Sequence, residues 1–179
     1  SQALKALRHV KEIHVVAVAN ECKELVFRLE QGFSGEPCLH CANLQTHQPT
    51  LSFTLNEERD CPLLVADRLG NYLYEPNVAL LKAGCFKWVA TRYAVRQLHK
   101  NSHLYTSEAL VGDFPGRIFA VEGHAPYNKK ARQALLPDLD QANLAVRNFP
   151  LSVAELRQSL RISEGGDTYV FATTLKGDE

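Results

Sequence analysis

The residue types in this chain that are best suited to chemistry are its cysteines and histidines. Cys38 and Cys41 are three positions apart, and His47 follows closely. Structural zinc sites usually combine two such pairs of ligands, and this sequence contains one cysteine pair. In a strand, however, Cys38 and Cys41 would point to opposite faces and could not share a metal ion without a bend. Buried free thiols are the favoured interpretation. The odd count of five cysteines also argues for reduced thiols rather than a disulfide framework.

Catalytic and cofactor motifs are absent from the sequence. Five cysteines and seven histidines allow Cys–His pairs by chance, but no local signature of a nucleophile accompanies any of them. A nucleotide or S-adenosylmethionine pocket in a doubly wound fold needs a glycine-rich turn between a strand and a helix. The ten glycines never form G-x-G. We therefore predict no catalytic residue, no metal site and no bound cofactor in this chain.

Six basic residues are concentrated near the C-terminus. They could form a phosphate-binding surface if the elements that hold them share a face. They are Lys129, Lys130, Arg132, Arg147, Arg157 and Arg161. Arg157 and Arg161 are four apart and would be neighbours on one flank of a helix. The alternative is a solvated exterior, because acidic residues are interspersed among these cations.

The overall charge excludes a strongly basic nucleic-acid binder. Lys plus Arg and Asp plus Glu number 20 each, so any polyanion would have to bind a local patch. No apolar run approaches the roughly 20 residues that cross a bilayer, and no signal peptide opens the chain, which predicts a cytoplasmic protein without membrane contact. The sequence contains no methionine and begins at Ser1, which favours a fragment of a longer protein.

The spacing of apolar residues predicts an α+β fold in three parts. Residues 1–60 hold β-branched runs at 11–18, 37–44 and 51–57, which predict an antiparallel β-meander. Residues 22–30 fit either a short helix or a strand, and a strand is favoured because it would complete a hairpin. Residues 61–116 are predicted to be a helical linker, with one helix that starts near Pro76 and contains Gly84.

Residues 117–179 are predicted to form a compact β-α-β-α-β unit. Strands are expected at 117–125, 141–149 and 168–175, with a short helix at 128–137 between the first two. Ser152 and Glu155 fit a capping box that opens the second helix. A unit of this length is about the smallest that buries a core.

Three segments resemble a known family. They are YLYEPNVALLKAG from Tyr72, HLYTS from His103, and the stretch that runs from RNFPLSVAELRQSLRI to GGDTYVFAT. Together they are similar to the C-terminal region of bacterial class I S-adenosylmethionine-dependent methyltransferases with a THUMP-like domain. Residues 10–44 resemble the last strands of the methyltransferase sheet, and residues 117–175 resemble the THUMP-like unit.

The resemblance implies a parent enzyme whose N-terminal methyltransferase core binds S-adenosylmethionine. No position of this chain matches that pocket, so this region would be non-catalytic and would position the methyl acceptor. THUMP domains are associated with structured RNA, which makes RNA the implied partner and the six cations the implied contacts. The alternative is a docking region that binds no nucleic acid and pairs its exposed strands with the missing core or with a second copy.

Overall fold

The computed structural model describes residues 7–137 and 139–175, without the side chains of residues 131–133. The fold is α+β, as the sequence predicts. Contacts divide the chain into two compact units. The first unit comprises residues 1–64, 74–96 and 111–118, and the second comprises residues 65–73, 97–110 and 119–179. Among the described residues, no helix has the length and apolarity that crossing a membrane requires.

A four-stranded sheet forms most of the first unit. Its strands are β1 (Val10–Val18), β2 (Glu21–Leu29), β3 (Cys38–Leu44) and β4 (Leu51–Thr54). The spatial order is β2-β1-β3-β4. Residues 21–29 therefore form a strand, which confirms the favoured interpretation of that segment and completes the hairpin with β1.

The predicted antiparallel meander is wrong in one respect, because β3 pairs with β1 in parallel rather than with β2. The pattern of burial gives the physical reason. β1 buries every second residue from Ile13 onward, whereas β2 is exposed along nearly its whole length. The strand with the stronger apolar face takes the centre of the sheet, and the more polar β2 takes the edge.

One face of this sheet is the core of the first unit. Ile13, Val15 and Leu39 are buried on it, and Phe53 joins them from β4 and packs on Trp88. Helix α1 (Leu55–Asp60) follows β4 directly and is opened by a capping box between Thr54 and Glu57. The opposite face holds side chains that are only half buried.

The stretch after Tyr72 differs from the single predicted helix. It forms strand β5 (Tyr72–Pro76), helix α2 (Val78–Ala83) and helix α3 (Phe86–Arg92). Asn77 caps α2, since its side-chain oxygen accepts from the Leu80 amide. Gly84 ends α2 in the left-handed conformation, with φ at 77°. Because glycine adopts positive φ without steric cost, it stops this helix rather than lying inside it.

A second four-stranded sheet includes β5 and shows that residues 61–116 are not purely helical. Its other strands are β6 (Arg96–Gln97), β7 (Tyr105–Ser107) and β8 (Gly116–Ala120), in the order β6-β7-β5-β8. Three of these four strands fall in the segment for which the sequence predicted helix. Each is five residues or shorter, and so short a run shows little alternation in the sequence.

The C-terminal elements follow the predicted order β-α-β-α-β. After β8 come α4 (Lys129–Leu135), β9 (Asn143–Arg147), α5 (Val153–Leu160) and β10 (Tyr169–Thr173). β9 and β10 pair in parallel as a separate two-stranded sheet. The predicted capping box opens α5, because the Ser152 hydroxyl accepts from the Glu155 amide and the Glu155 carboxylate accepts from the Ser152 amide. The Ser152 amide and the Ser152 hydroxyl both donate to the Glu155 carboxylate and lower the pKa of Glu155.

The second unit is held together by its own apolar cluster. Leu73, Leu98 and Leu104 are buried at its centre. Partly buried side chains pack around them, namely Leu69, Phe119, Val121, Phe171 and Leu175. Leu156 on α5 is 1% exposed and anchors this helix, which packs against β9.

Candidate nucleic-acid interface

The six predicted cations are spread over three elements of the second unit. Lys129 and Lys130 begin α4 and are exposed. Arg132 lies in the same helix, with its side chain outside the described part of the structure. Arg147 ends β9, Arg157 lies on α5, and Arg161 follows α5 directly.

A cavity of about 350 Å³ brings two of these cations together. Lys129 from α4 and Arg161 from the end of α5 both line it, and Ser159 adds a hydroxyl. Its remaining lining is apolar and consists of Leu136, Leu139, Leu160 and Ile162. Two basic residues and a hydroxyl around one hollow suit an anionic group such as a phosphate.

Arg161 is not on a helical flank beside Arg157, as the spacing had indicated. Helix α5 ends at Leu160, and Arg161 is its C-cap in the left-handed conformation, with φ at 60°. Its amide donates to the Arg157 carbonyl. Because the chain leaves the helix here, Arg161 does not continue the helical flank of Arg157; it is exposed and also lines the cavity.

Arg157 and Arg147 have partners within the second unit. Arg157 Nη1 donates to the Ile162 carbonyl at 3.4 Å, and its Nη2 lies 3.9 Å from a Glu164 carboxylate oxygen. Arg147 Nη1 donates to the Val146 carbonyl at 2.9 Å. The positive charge of Arg147 also lowers the pKa of His103, although burial of the imidazole is the larger cause. These contacts within the second unit give the two arginines structural roles.

Tyr127 is a candidate contact that the sequence analysis did not single out. Its ring is 44% exposed and packs edge-on against Phe149, with 5.1 Å between ring centroids. Its hydroxyl lies 3.0 Å from the hydroxyl of Ser159, which lines the cavity. An exposed aromatic ring next to lysines is typical of surfaces that stack nucleic-acid bases. In the sequence, Tyr127 lies two and three positions before Lys129 and Lys130, and this spacing could have indicated the contact.

Cys38 and Cys41 do not lie on a common face of the first sheet. Cys41 is buried on the core face, whereas Cys38 lies on the other face and is partly exposed, so the two point apart as the alternation predicts. Cys85 is buried beside Cys41. Hydrogen bonding to Cys41 and burial raise the pKa of Cys85 above the usual range for a thiol. A protonated, buried thiol is a poor nucleophile.

Two segments of the chain match known protein-family models. A family model described as a ferredoxin-like domain matches residues 72–115. A second model, described as THUMP domain-like, matches residues 116–179, which include the cavity and all six cations. The THUMP-like part of the predicted resemblance is thus confirmed. No curated protein sequence matches the chain.

Comparison with solved structures identifies a similar protein. The chain resembles the crystal structure of a proposed methyltransferase from Porphyromonas gingivalis W83, with a TM-score of 0.88 and 42% sequence identity. The similarity covers 97% of this chain but only 44% of that protein. The chain therefore spans less than half of the length of the protein that it matches.

Proposed function

We propose that this chain is the non-catalytic, acceptor-positioning region of a methyltransferase that modifies RNA. The main support is that Lys129 and Arg161 line one cavity within the THUMP-like segment. The Tyr127 hydroxyl is hydrogen-bonded to Ser159, which also lines this cavity. The similarity to a longer, proposed methyltransferase supports the parent activity. In this proposal the parent is a cytoplasmic bacterial class I enzyme. Its S-adenosylmethionine binds to a core outside these residues.

The proposed contribution of the chain is electrostatic and positional. Lys129 and Arg161 contact phosphates of the acceptor, and the exposed ring of Tyr127 stacks on an unpaired base. We propose Lys130, Arg132, Arg147 and Arg157 as further phosphate contacts. Holding the acceptor in one orientation lowers the entropic cost of methyl transfer, and the chain itself takes no part in the chemical step.

The proposal predicts that reversing the two cavity charges weakens RNA binding. In the double variant Lys129→Glu with Arg161→Glu, affinity for bulk bacterial tRNA and rRNA should fall by at least about tenfold. The log–log salt slope should become shallower by roughly 1.4, since each phosphate contact on single strands contributes about 0.7. Fluorescence anisotropy with labelled RNA measures both quantities.

A matched control separates local contact from net charge. Lys23→Glu with Arg59→Glu makes the same charge change at exposed positions of the first unit. The control should bind as the wild type does, apart from a small long-range effect that salt screens. Equal losses in both double variants would contradict a local interface and indicate nonspecific attraction.

A second candidate function, self-association through strand β2, is favoured by the exposure of that strand. β2 is an edge of the first sheet, and Leu25, Val26 and Leu29 on it are 49%, 44% and 53% exposed. An unpaired edge with apolar side chains is a template for strand addition. An antiparallel self-pair centred on Val26 would place Glu24 of one copy opposite Arg28 of the other, an attractive pairing.

This candidate predicts a dimer that a single edge charge abolishes. Sedimentation velocity over a range of concentrations should show the wild-type chain dimerising, and Leu25→Lys should be monomeric because a lysine blocks edge pairing. Leu63→Lys, at an exposed leucine outside β2, should still dimerise. A wild-type chain that stays monomeric at high concentration would eliminate this candidate and leave the RNA proposal untouched.

A further inference from the structure

A cluster of potential metal ligands lies on the half-buried face of the first sheet. Glu12 and His14 are two apart on β1, so both point away from the core face that buries Ile13 and Val15. His40 on β3 is the register partner of His14 in the parallel pair. One ligand atom from each of Glu12, His14 and His40 lies within 4.8 Å of the other two.

Glu12 and His14 are in hydrogen-bond contact, at a separation close to that of two ligands of one zinc ion. His14 Nε2 lies 3.2 Å from Glu12 Oε2. Ligand atoms bonded to Zn²⁺ at about 2.0–2.1 Å in a tetrahedron lie about 3.3 Å apart. The third ligand is also close, since the rings of His14 and His40 stack with their centroids 4.7 Å apart and their planes 23° from parallel. Rotation of these side chains is required to bring the three ligand atoms to bonding distance of one ion.

A neighbouring hydroxyl orients the second histidine. His40 Nδ1 lies 2.7 Å from the Ser52 hydroxyl on β4. When Nδ1–H donates to this oxygen, the lone pair of Nε2 is left to bind a metal. Such an outer hydrogen bond accompanies nearly all metal-binding histidines, because it fixes the tautomer and the ring orientation.

We propose that Glu12, His14 and His40 bind a divalent transition-metal ion, with Zn²⁺ as the preferred ion. Two imidazoles and one carboxylate form a three-ligand zinc set, and a water molecule takes the fourth position. Arg28 on β2 competes for the same carboxylate, since its Nη1 lies 3.2 Å from Glu12 Oε1. Metal binding therefore opposes this ion pair. The site lies in the first unit, and its existence does not depend on the RNA proposal.

Titration of the complete 179-residue chain, free of any tag, with Co²⁺ and then with Zn²⁺ tests the proposal. Co²⁺ should produce the visible absorption of a tetrahedral site without a thiolate charge-transfer band, and Zn²⁺ should displace it at one ion per chain. His14→Ala and His40→Ala should each weaken binding by about 100-fold or more, since loss of even an outer partner costs about 10–100-fold. His47→Ala, at an exposed histidine on the turn after β3, should bind as the wild type does.

Two further variants keep the test decisive if an alanine variant fails to fold. Glu12→Gln retains the hydrogen-bonding shape and should weaken binding. Arg28→Gln should strengthen it, because the competing guanidinium is removed. Absence of Co²⁺ binding by the wild type would overturn the proposal, and so would unchanged affinity in His14→Ala and His40→Ala. Loss of binding in Cys38→Ser, together with a thiolate band, would assign the ion to a cysteine site instead.

Discussion

The substitution Gly116→Ala is expected to destabilise the first unit by about 3 kcal/mol or more. A Cβ atom at Gly116 would lie 2.0 Å from the Glu75 carbonyl oxygen and 2.8 Å from Pro76 Cα. Both neighbours are backbone atoms, so no side chain can rotate away. The hydrogen bond from the Asn77 amide to the Pro115 carbonyl fixes the same approach of the two segments. Relief of the clash therefore requires that β5 and β8 separate.

Gly112→Ala is the matched control for this prediction. A Cβ atom at Gly112 would meet open space. The free energy of unfolding of Gly112→Ala should stay within about 1 kcal/mol of the wild-type value. A small increase is expected, because alanine restricts the unfolded chain more than glycine does. Urea unfolding monitored by circular dichroism measures both variants. Equal stability of Gly116→Ala and Gly112→Ala would show that β5 and β8 do not approach each other as described.

Leu156→Ala is expected to have a comparable effect on the second unit. Leu156 is 1% exposed on α5, and truncation of a fully buried leucine removes apolar burial and leaves a cavity. The typical cost is about 2–5 kcal/mol. Helix α5 holds Arg157 and is followed directly by its C-cap Arg161, so RNA affinity should fall together with the stability of this unit.

The control for Leu156→Ala lies on the same helix. Val153 is 40% exposed, and Val153→Ala removes a side chain that faces solvent. The free energy of unfolding of Val153→Ala should differ from the wild-type value by less than about 1 kcal/mol, because alanine is the better helix former and little burial is lost. A loss in Val153→Ala as large as in Leu156→Ala would contradict the burial pattern of α5.

Local signals in the sequence predicted the elements whose structure is set by neighbouring residues. The capping box of Ser152 and Glu155 fixed the start of α5, because both hydrogen bonds form within one turn. For residues 22–30 the pattern fitted helix or strand, and the hairpin that a strand would complete correctly favoured the strand. The order β-α-β-α-β near the C-terminus was also predicted, although its strands are only five residues long, because the capping box of α5 and the turn at Gly165 and Gly166 mark the boundaries between elements.

Features that depend on distant residues were not predictable in the same way. The parallel pairing of β1 with β3 follows from competition for the centre of the sheet, which no local window contains. This pairing brings His14 next to His40, two residues that are 26 positions apart and that the sequence analysis treated separately. Likewise, the convergence of Lys129 and Arg161 depends on how α4 and the end of α5 pack.

Gly84 and Arg161 show a different limit. Both end a helix in the left-handed conformation, at φ values of 77° and 60°. The glycine at position 84 did not decide between a helix interior and a helix end. A glycine is tolerated inside a helix at a cost of about 1 kcal/mol, and it is also the usual residue just after a helix. For Arg161 the residue type argued against a cap, since a non-glycine residue rarely adopts positive φ.

The most direct test of the acceptor-positioning role is the binding of the wild-type chain to bulk tRNA and rRNA across a salt series. The account predicts micromolar or tighter affinity at low salt and a log–log slope of about −3 or steeper, as several phosphate contacts require. Absence of binding at low salt, or binding that does not change with salt, would contradict it. The chain would then be assigned to docking, and the methyl acceptor would be sought among proteins and small molecules.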